Sequence, residues 1–224
     1  MSAELTLVGL WLAFGATHVL LSSVRVRPRI VDAIGPGGYM GLFSLVALAT
    51  FVPLVSVYIG NRHGGELLWS FGGVAGLRTA SMWFSGICFT ISIASFFQPS
   101  PASTGVTGPP RAIGLLRITR HPLFMPVGLL GLSHLALNGY VTDILFFGGL
   151  FVYGVIGCMH QDARKQETEG EPFAAFVRET SLVPFAAIIT GRTKLVVSEL
   201  PWLGLCVGVA AAIGFYQLHG TMFS

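Results

Sequence analysis

The chain has 224 residues, of which 53% are hydrophobic and only 10% charged, with a mean hydropathy of +0.73. About a quarter of a water-soluble chain is ordinarily charged, so this composition excludes a soluble globule and makes lipid the solvent. The formal charge of +3, from 13 Lys and Arg against 10 Asp and Glu, is too small to track a phosphate backbone and excludes nucleic acid as a partner.

A helix rising about 1.5 Å per residue needs about 20 apolar residues to cross about 30 Å of hydrocarbon. Six runs approach this length, at 5–23, 39–59, 79–97, 122–140, 144–159 and 200–218. The fold class is therefore all-α, an integral membrane bundle of six transmembrane helices forming one domain over 1–224. The first run follows a tetrapeptide whose only charge is Glu4, without a basic n-region or a clear cleavage site, and is expected to stay as a helix. Pro53 is expected to kink the second span. Segment 98–108, rich in Pro, Ser, Thr and Gly, reads as a flexible connection. The apolar piece 181–190 is too short to cross and contains Pro184, so it reads as re-entrant or interfacial. Segment 161–199 mixes charges with Phe173, Phe176 and Phe185, the pattern of an amphipathic helix lying against headgroups. Gly204 and Gly208 form a G-x-x-x-G that admits a neighbouring backbone to the sixth span.

Basic residues alternate between the connections: three follow the first span, two the second, three the third, none the fourth and five the fifth. With both termini on the non-cytoplasmic side, 11 of the 13 basic residues are cytoplasmic, as the positive-inside rule requires.

Ionisable residues within a membrane are costly and mark function by default. No Asp or Glu lies well inside a span, Asp143 being at a boundary; His18 in the first span and His134 in the fourth remain. Neutral imidazole is a common metal ligand, and the neighbours Gly15, Gly128 and Gly131 leave a shallow surface on which a flat macrocycle can lie. Arg25, Arg117 and Arg120, on the cytoplasmic side, are the expected partners of haem propionates. By helical rise His18 lies about 9 Å and His134 about 18 Å from the cytoplasmic ends of their spans, a difference that tilt, or a fourth helix starting near Pro126, has to close. The competing reading is that both histidines hydrogen-bond across helices or to backbone carbonyls. His121, in Arg120-His121-Pro122, is either a helix cap or part of a ligand site. His63, His160 and His219 read as interfacial. Cys88, Cys158 and Cys206 stand singly, without a C-x-x-C pair, which removes a disulfide framework, a zinc knuckle and c-type haem attachment.

Several blocks in order carry a family resemblance: Gly15-Ala16-Thr17-His18 through Ser22-Ser23, Gly41-Leu42-Phe43-Ser44 through Phe51-Val52-Pro53-Leu54, Thr119-Arg120-His121-Pro122 through Ser133-His134-Leu135, and Pro184-Phe185-Ala186-Ala187-Ile188. Nearly the whole chain resembles the NnrU family of bacterial inner-membrane proteins, named for an association with denitrification and nitric oxide metabolism. That family is similar to the plant zeta-carotene isomerases, which hold b-type haem. The resemblance implies haem b with His18 and His134 as axial ligands, and an apolar substrate such as a polyene, or a small gas such as nitric oxide. Where some plant relatives have a cysteine three residues before the second histidine, this chain has Gly131. Arg120-His121-Pro122 also resembles the isoprenylcysteine carboxyl methyltransferases and phospholipid methyltransferases, which bind S-adenosylmethionine; the later segment Gln161-Asp162-Ala163-Arg164-Lys165 lacks their adjacent acidic pair. Methyl transfer is thus the alternative activity, and a non-catalytic accessory role in denitrification the third.

Overall fold

The computed structural model describes residues 2–103, 105–106 and 108–222. Thr104 and Thr107, inside the expected flexible connection, lie outside the described residues. The chain is helical: α1 Ala3–Ser22, α2 Val26–Gly60, α3 Leu77–Ala94, α4 Leu115–Ile118, α5 Phe124–Leu137, α6 Val141–Glu169, α7 Glu171–Glu179, α8 Ala186–Ile189 and α9 Trp202–Met222. Two short strands, β1 Leu67–Trp69 and β2 Gly139–Tyr140, pair antiparallel. Among the described residues five helices, α1, α2, α3, α6 and α9, have the length and apolar character to cross a membrane, and α5 is a shorter apolar helix. The chain is a multi-pass membrane protein.

The six expected spans all appear as helices. The fourth, however, shrinks to the 14 residues of α5, about 21 Å of rise. Its start is held back by the turn through Arg120-His121-Pro122. At its end the backbone N–H and the side-chain amide of Asn138 both donate to the His134 carbonyl, at 2.9 and 3.0 Å, which closes the helix before Gly139. The fifth span continues as the 29-residue α6 into the basic end of the molecule. α1 begins on a Ser2 hydroxyl that accepts the Leu5 N–H, a normal N-cap, with Glu4 in the first turn.

The non-helical backbone within α2 occurs at Gly35, with φ of 74° and ψ of 167°, just before Pro36. A positive φ is cheap only for glycine, so Gly35 and Pro36 together set the break. Pro53 lies in continuous helix.

Neighbouring helices run in the order α2, α1, α6, α5, α3, α9. α6 is the shared post. On one side it packs α1, where Leu7 and Trp11 join Leu54, Tyr58, Phe146 and Phe147 in the largest buried cluster, and Trp11 stacks on Tyr153 at 4.9 Å. Gly149 permits this: a Cβ there would lie 2.2 Å from the Trp11 ring. On the other side it packs α5. The expected close approach at Gly208 is present, since its Cβ position is 2.5 Å from the Thr90 carbonyl of α3.

At the basic end, Phe173 and Phe176 of α7 are buried against Ala102, Ala112 and Leu116. The amphipathic helix anticipated against headgroups therefore turns its aromatic face into the protein. At the opposite end β1 and β2 tie the α2–α3 connection to the α5–α6 turn, and the Trp69 indole donates to the Leu135 carbonyl at 2.9 Å.

Candidate functional site

His18 and His134 are held in the same way. Each lies on its own helix with Nδ1 against the carbonyl four residues earlier, Phe14 at 2.7 Å for His18 and Leu130 at 3.0 Å for His134. A carbonyl only accepts, so Nδ1 carries the proton and the neutral ring keeps its lone pair on Nε2. This is the arrangement by which a second hydrogen bond fixes the tautomer of a ligating imidazole. Aromatic rings line both. His18 has Phe14 at 3.9 Å and Phe43 of α2 at 5.0 Å between centroids; His134 stacks on Phe147 at 4.5 Å and has His219 at 6.4 Å. The backbone-carbonyl reading is thus realised at one nitrogen of each ring, and the other nitrogen stays available.

The two rings stand on different helices, α1 and α5. α1 runs parallel to α6, with Gly15 against Tyr153 and Ser22 bonded to His160, so His18 is level with the stretch between those residues. His134 is level with Phe147. Along α6 the two backbone positions differ by about 14 Å of helical rise, and α1 and α5 both pack against α6. α5 starts at Phe124, and this does not close the difference in depth. The donor chemistry of each histidine fits a haem iron.

The expected propionate partners are differently placed. Arg25 is exposed at the start of α2. Arg117 grips Glu199 with Nε at 2.7 Å and Nη2 at 3.1 Å, and Thr193 with Nη1 at 2.9 Å. That bond, with the Gly114 N–H, holds the Glu199 carboxyl below its ordinary range and raises the Arg117 guanidinium above its own. Arg120 donates to Asp162 at 2.6 Å. His121, 1% exposed, donates from Nε2 to the other oxygen of the same carboxylate at 2.8 Å, and its Nδ1 is buried without a partner. Arg117 and Arg120 are therefore already neutralised by protein carboxylates. The structure brings Arg120 and His121 together through Asp162, and places neither beside His18 or His134.

Two groups escaped the sequence reading. His63, read as merely interfacial, donates from Nδ1 to buried Asp143 at 2.8 Å, and the Tyr58 hydroxyl donates to the same carboxylate at 2.9 Å. Arg164 and Lys165 of α6 are buried, at 5% and 6% exposure. The available signal was their place four and five residues past His160, little more than one turn on, where α6 leaves the apolar run. Among the described residues no three His, Cys, Asp or Glu side chains gather as a metal group.

The chain is 29% identical over 236 residues to the 15-cis-zeta-carotene isomerase, chloroplastic, of Zea mays, covering 99% of this chain and 61% of the relative. It is 28% identical over 237 residues to the protein of the same name from Arabidopsis thaliana, again with 99% and 61% covered. The chain thus spans about three fifths of the length of these curated relatives. No solved structure matches it. The family model described as NnrU protein matches residues 6–224, and the chain belongs to the NnrU family.

Proposed function

We propose that this membrane protein isomerises a long apolar polyene inside the bilayer, the activity that the names of its plant relatives carry, and that haem b assists it. The observation that carries the reading is the paired treatment of His18 and His134: two intramembrane imidazoles, each with Nδ1 committed to a carbonyl and Nε2 left with its lone pair among aromatic rings. When bound, haem supplies a redox-active iron whose potential follows its axial ligand and burial. His18 and His134 are the residues that would hold the haem iron.

The protein's own part is to fix the imidazole tautomer through Phe14 or Leu130, to keep water away with Phe14, Phe43 and Phe147, and to leave the approach from lipid open. A small gas such as nitric oxide is the other reactant that would suit a haem held there, which is the form a link to denitrification would take. On the charge distribution we place the protein in a bacterial inner membrane with both termini away from the cytoplasm. Methyl transfer is less supported, because the Asp162 carboxylate at the Arg-His-Pro turn is already engaged by Arg120 and His121.

The test is reconstitution in vesicles with a 15-cis polyene, followed chromatographically, beside absorption spectra of the detergent-purified protein. Isomer conversion together with a Soret band that H18A or H134A alone removes is the expected result. Conversion absent under both oxidising and reducing conditions overturns the isomerase reading. A protein that takes up no haem overturns the cofactor.

A further inference from the structure

At the basic end of the bundle, between the start of α2 and the far part of α6, lies a cavity of about 550 Å³ whose lining includes Arg27, Arg164, Lys165, Gly108, Pro109 and Pro110. Its charges are unbalanced. Arg164 is 5% exposed, yet its Nε and Nη2 are buried without a hydrogen-bond partner, and Arg27 Nε is likewise unpartnered. Both guanidiniums line this one cavity. Arg27 lies over the Tyr39 ring at 5.2 Å. The acid in the lining, Glu169, is taken by Lys165, whose Nζ also reaches the Val106 carbonyl at 3.4 Å.

A buried cation without a partner is strongly unfavourable, and like charges brought together add to that cost. Evolution removes such an arrangement cheaply by substitution unless an anion restores the balance. The edges of two guanidiniums offer several N–H donors in fixed planes, which suits a group with three or four oxygens of spread negative charge. The volume falls in the range of small-molecule sites and exceeds what a bare ion fills. The position at the basic end of the bundle, where anionic headgroups are attracted to basic pockets, fits the same chemistry.

We propose that this cavity binds the phosphate group of an organic phosphate, gripped between Arg27 and Arg164. The group is supplied either by a phospholipid headgroup or by a soluble phosphate ester. The site is separate from His18 and His134 and does not rest on the isomerase reading.

The test uses the full chain purified in detergent, with inorganic pyrophosphate as one probe and vesicles containing phosphatidylglycerol as the other. Thermal unfolding is followed with and without pyrophosphate, since a ligand of the folded state raises the midpoint by mass action. A rise in the wild type that Arg164→Gln abolishes, and that Arg27→Gln weakens at least threefold in apparent affinity, supports the site. Arg27 is only half-buried, so Arg27→Gln decides the matter if Arg164→Gln fails to fold. Co-purified phosphatidylglycerol, seen by native mass spectrometry and displaced by pyrophosphate, identifies the lipid source; a pyrophosphate response in lipid-stripped protein with no retained lipid identifies the soluble one. No response to either probe, or equal responses of wild type and both variants, overturns the proposal. Loss of haem from Arg27→Gln also overturns it, because the guanidiniums would then belong to porphyrin carboxylates.

Discussion

His121 and Asp162 lie 41 positions apart in sequence, yet Nε2 of the one donates to Oδ1 of the other at 2.8 Å with both side chains nearly sealed from solvent. Arg120 completes the group on Oδ2, and its backbone N–H donates to the Ser181 carbonyl at 2.9 Å. One carboxylate on α6 thereby fixes the start of α5 and the loop that returns from α7. Replacing Asp162 by alanine leaves a buried guanidinium and an imidazole N–H without their acceptor. Breaking a buried pair by removing one partner costs about 3–5 kcal/mol. The expected outcome is a marked fall in the unfolding midpoint in detergent, and a double variant D162A/R120A that loses less than the two single losses combined, because both remove the same interaction.

The contact between α1 and α6 depends on the absence of a side chain at Gly149. Alanine there would bring its Cβ to 2.2 Å from the Trp11 ring, so the indole must leave its stack on Tyr153. Overpacking of this kind costs about 1–3 kcal/mol. G149A is expected to destabilise, and W11A to cost about 3–5 kcal/mol by opening a cavity. Near-ultraviolet circular dichroism, which follows the Trp11 environment, together with thermal unfolding, checks both.

The Arg117 and Glu199 pair predicts an acid limb of stability. Glu199 has its carboxyl held below the ordinary value of 4.5 by the Arg117 guanidinium, so the unfolded chain binds its proton at a higher pH than the folded one. Stability from this pair is complete above pH about 4.5 and is lost as the pH falls through the lower folded value. The side chain is partly exposed, so salt screens the effect. Replacing Glu199 by glutamine should flatten the dependence of the melting midpoint on pH below about 4.5 while leaving its slope near neutrality unchanged. An unaltered acid limb would assign it to other carboxylates.

The membrane spans were legible in the sequence because apolar length is a one-dimensional property, and each of the six runs became a helix. The break at Gly35 and Pro36 was hidden by a preceding stretch too charged to count as a span. The truncation of α5 depends on Asn138 and on a tertiary anchor at Asp162, neither of which periodicity reveals. His18 and His134 lie on the apolar helices α1 and α5 on which the sequence placed them, and their depths already differed along the two spans. What the sequence does not carry is which helix lies between them. α6 separates α1 from α5, and the same helix brings Arg164 to Arg27 from the other end of the chain. Arg25, Arg117 and Arg120 were chosen for charge and proximity in sequence, whereas the buried guanidinium nitrogens without a hydrogen-bond partner belong to Arg27 and Arg164, a distinction set by tertiary pairing alone.

At the far end of the bundle, Asp143 is fully buried in the first turn of α6 and accepts from the Tyr58 hydroxyl, the His63 ring and, at 3.4 Å, the His63 backbone N–H. Next to it the Thr142 hydroxyl donates to the Asn61 carbonyl at 2.9 Å and accepts the Gly64 N–H at 3.0 Å. These two residues clamp a loop in which His63 holds a positive φ of 52°, a conformation that costs a non-glycine residue energy and persists only where its surroundings impose it. Removing the Asp143 carboxylate takes away the acceptor that holds His63 there. D143A is therefore expected to release residues 61–65, with amide hydrogen exchange rising there by at least tenfold, about 1.4 kcal/mol of lost local protection. Exchange at the Arg120 to Asp162 group should stay as in the wild type, since α6 separates the two clusters by more than five turns, about 28 Å. Uniform acceleration across the chain would instead mean that Asp143 supports the whole bundle, and that its buried charge is a global rather than a local tie.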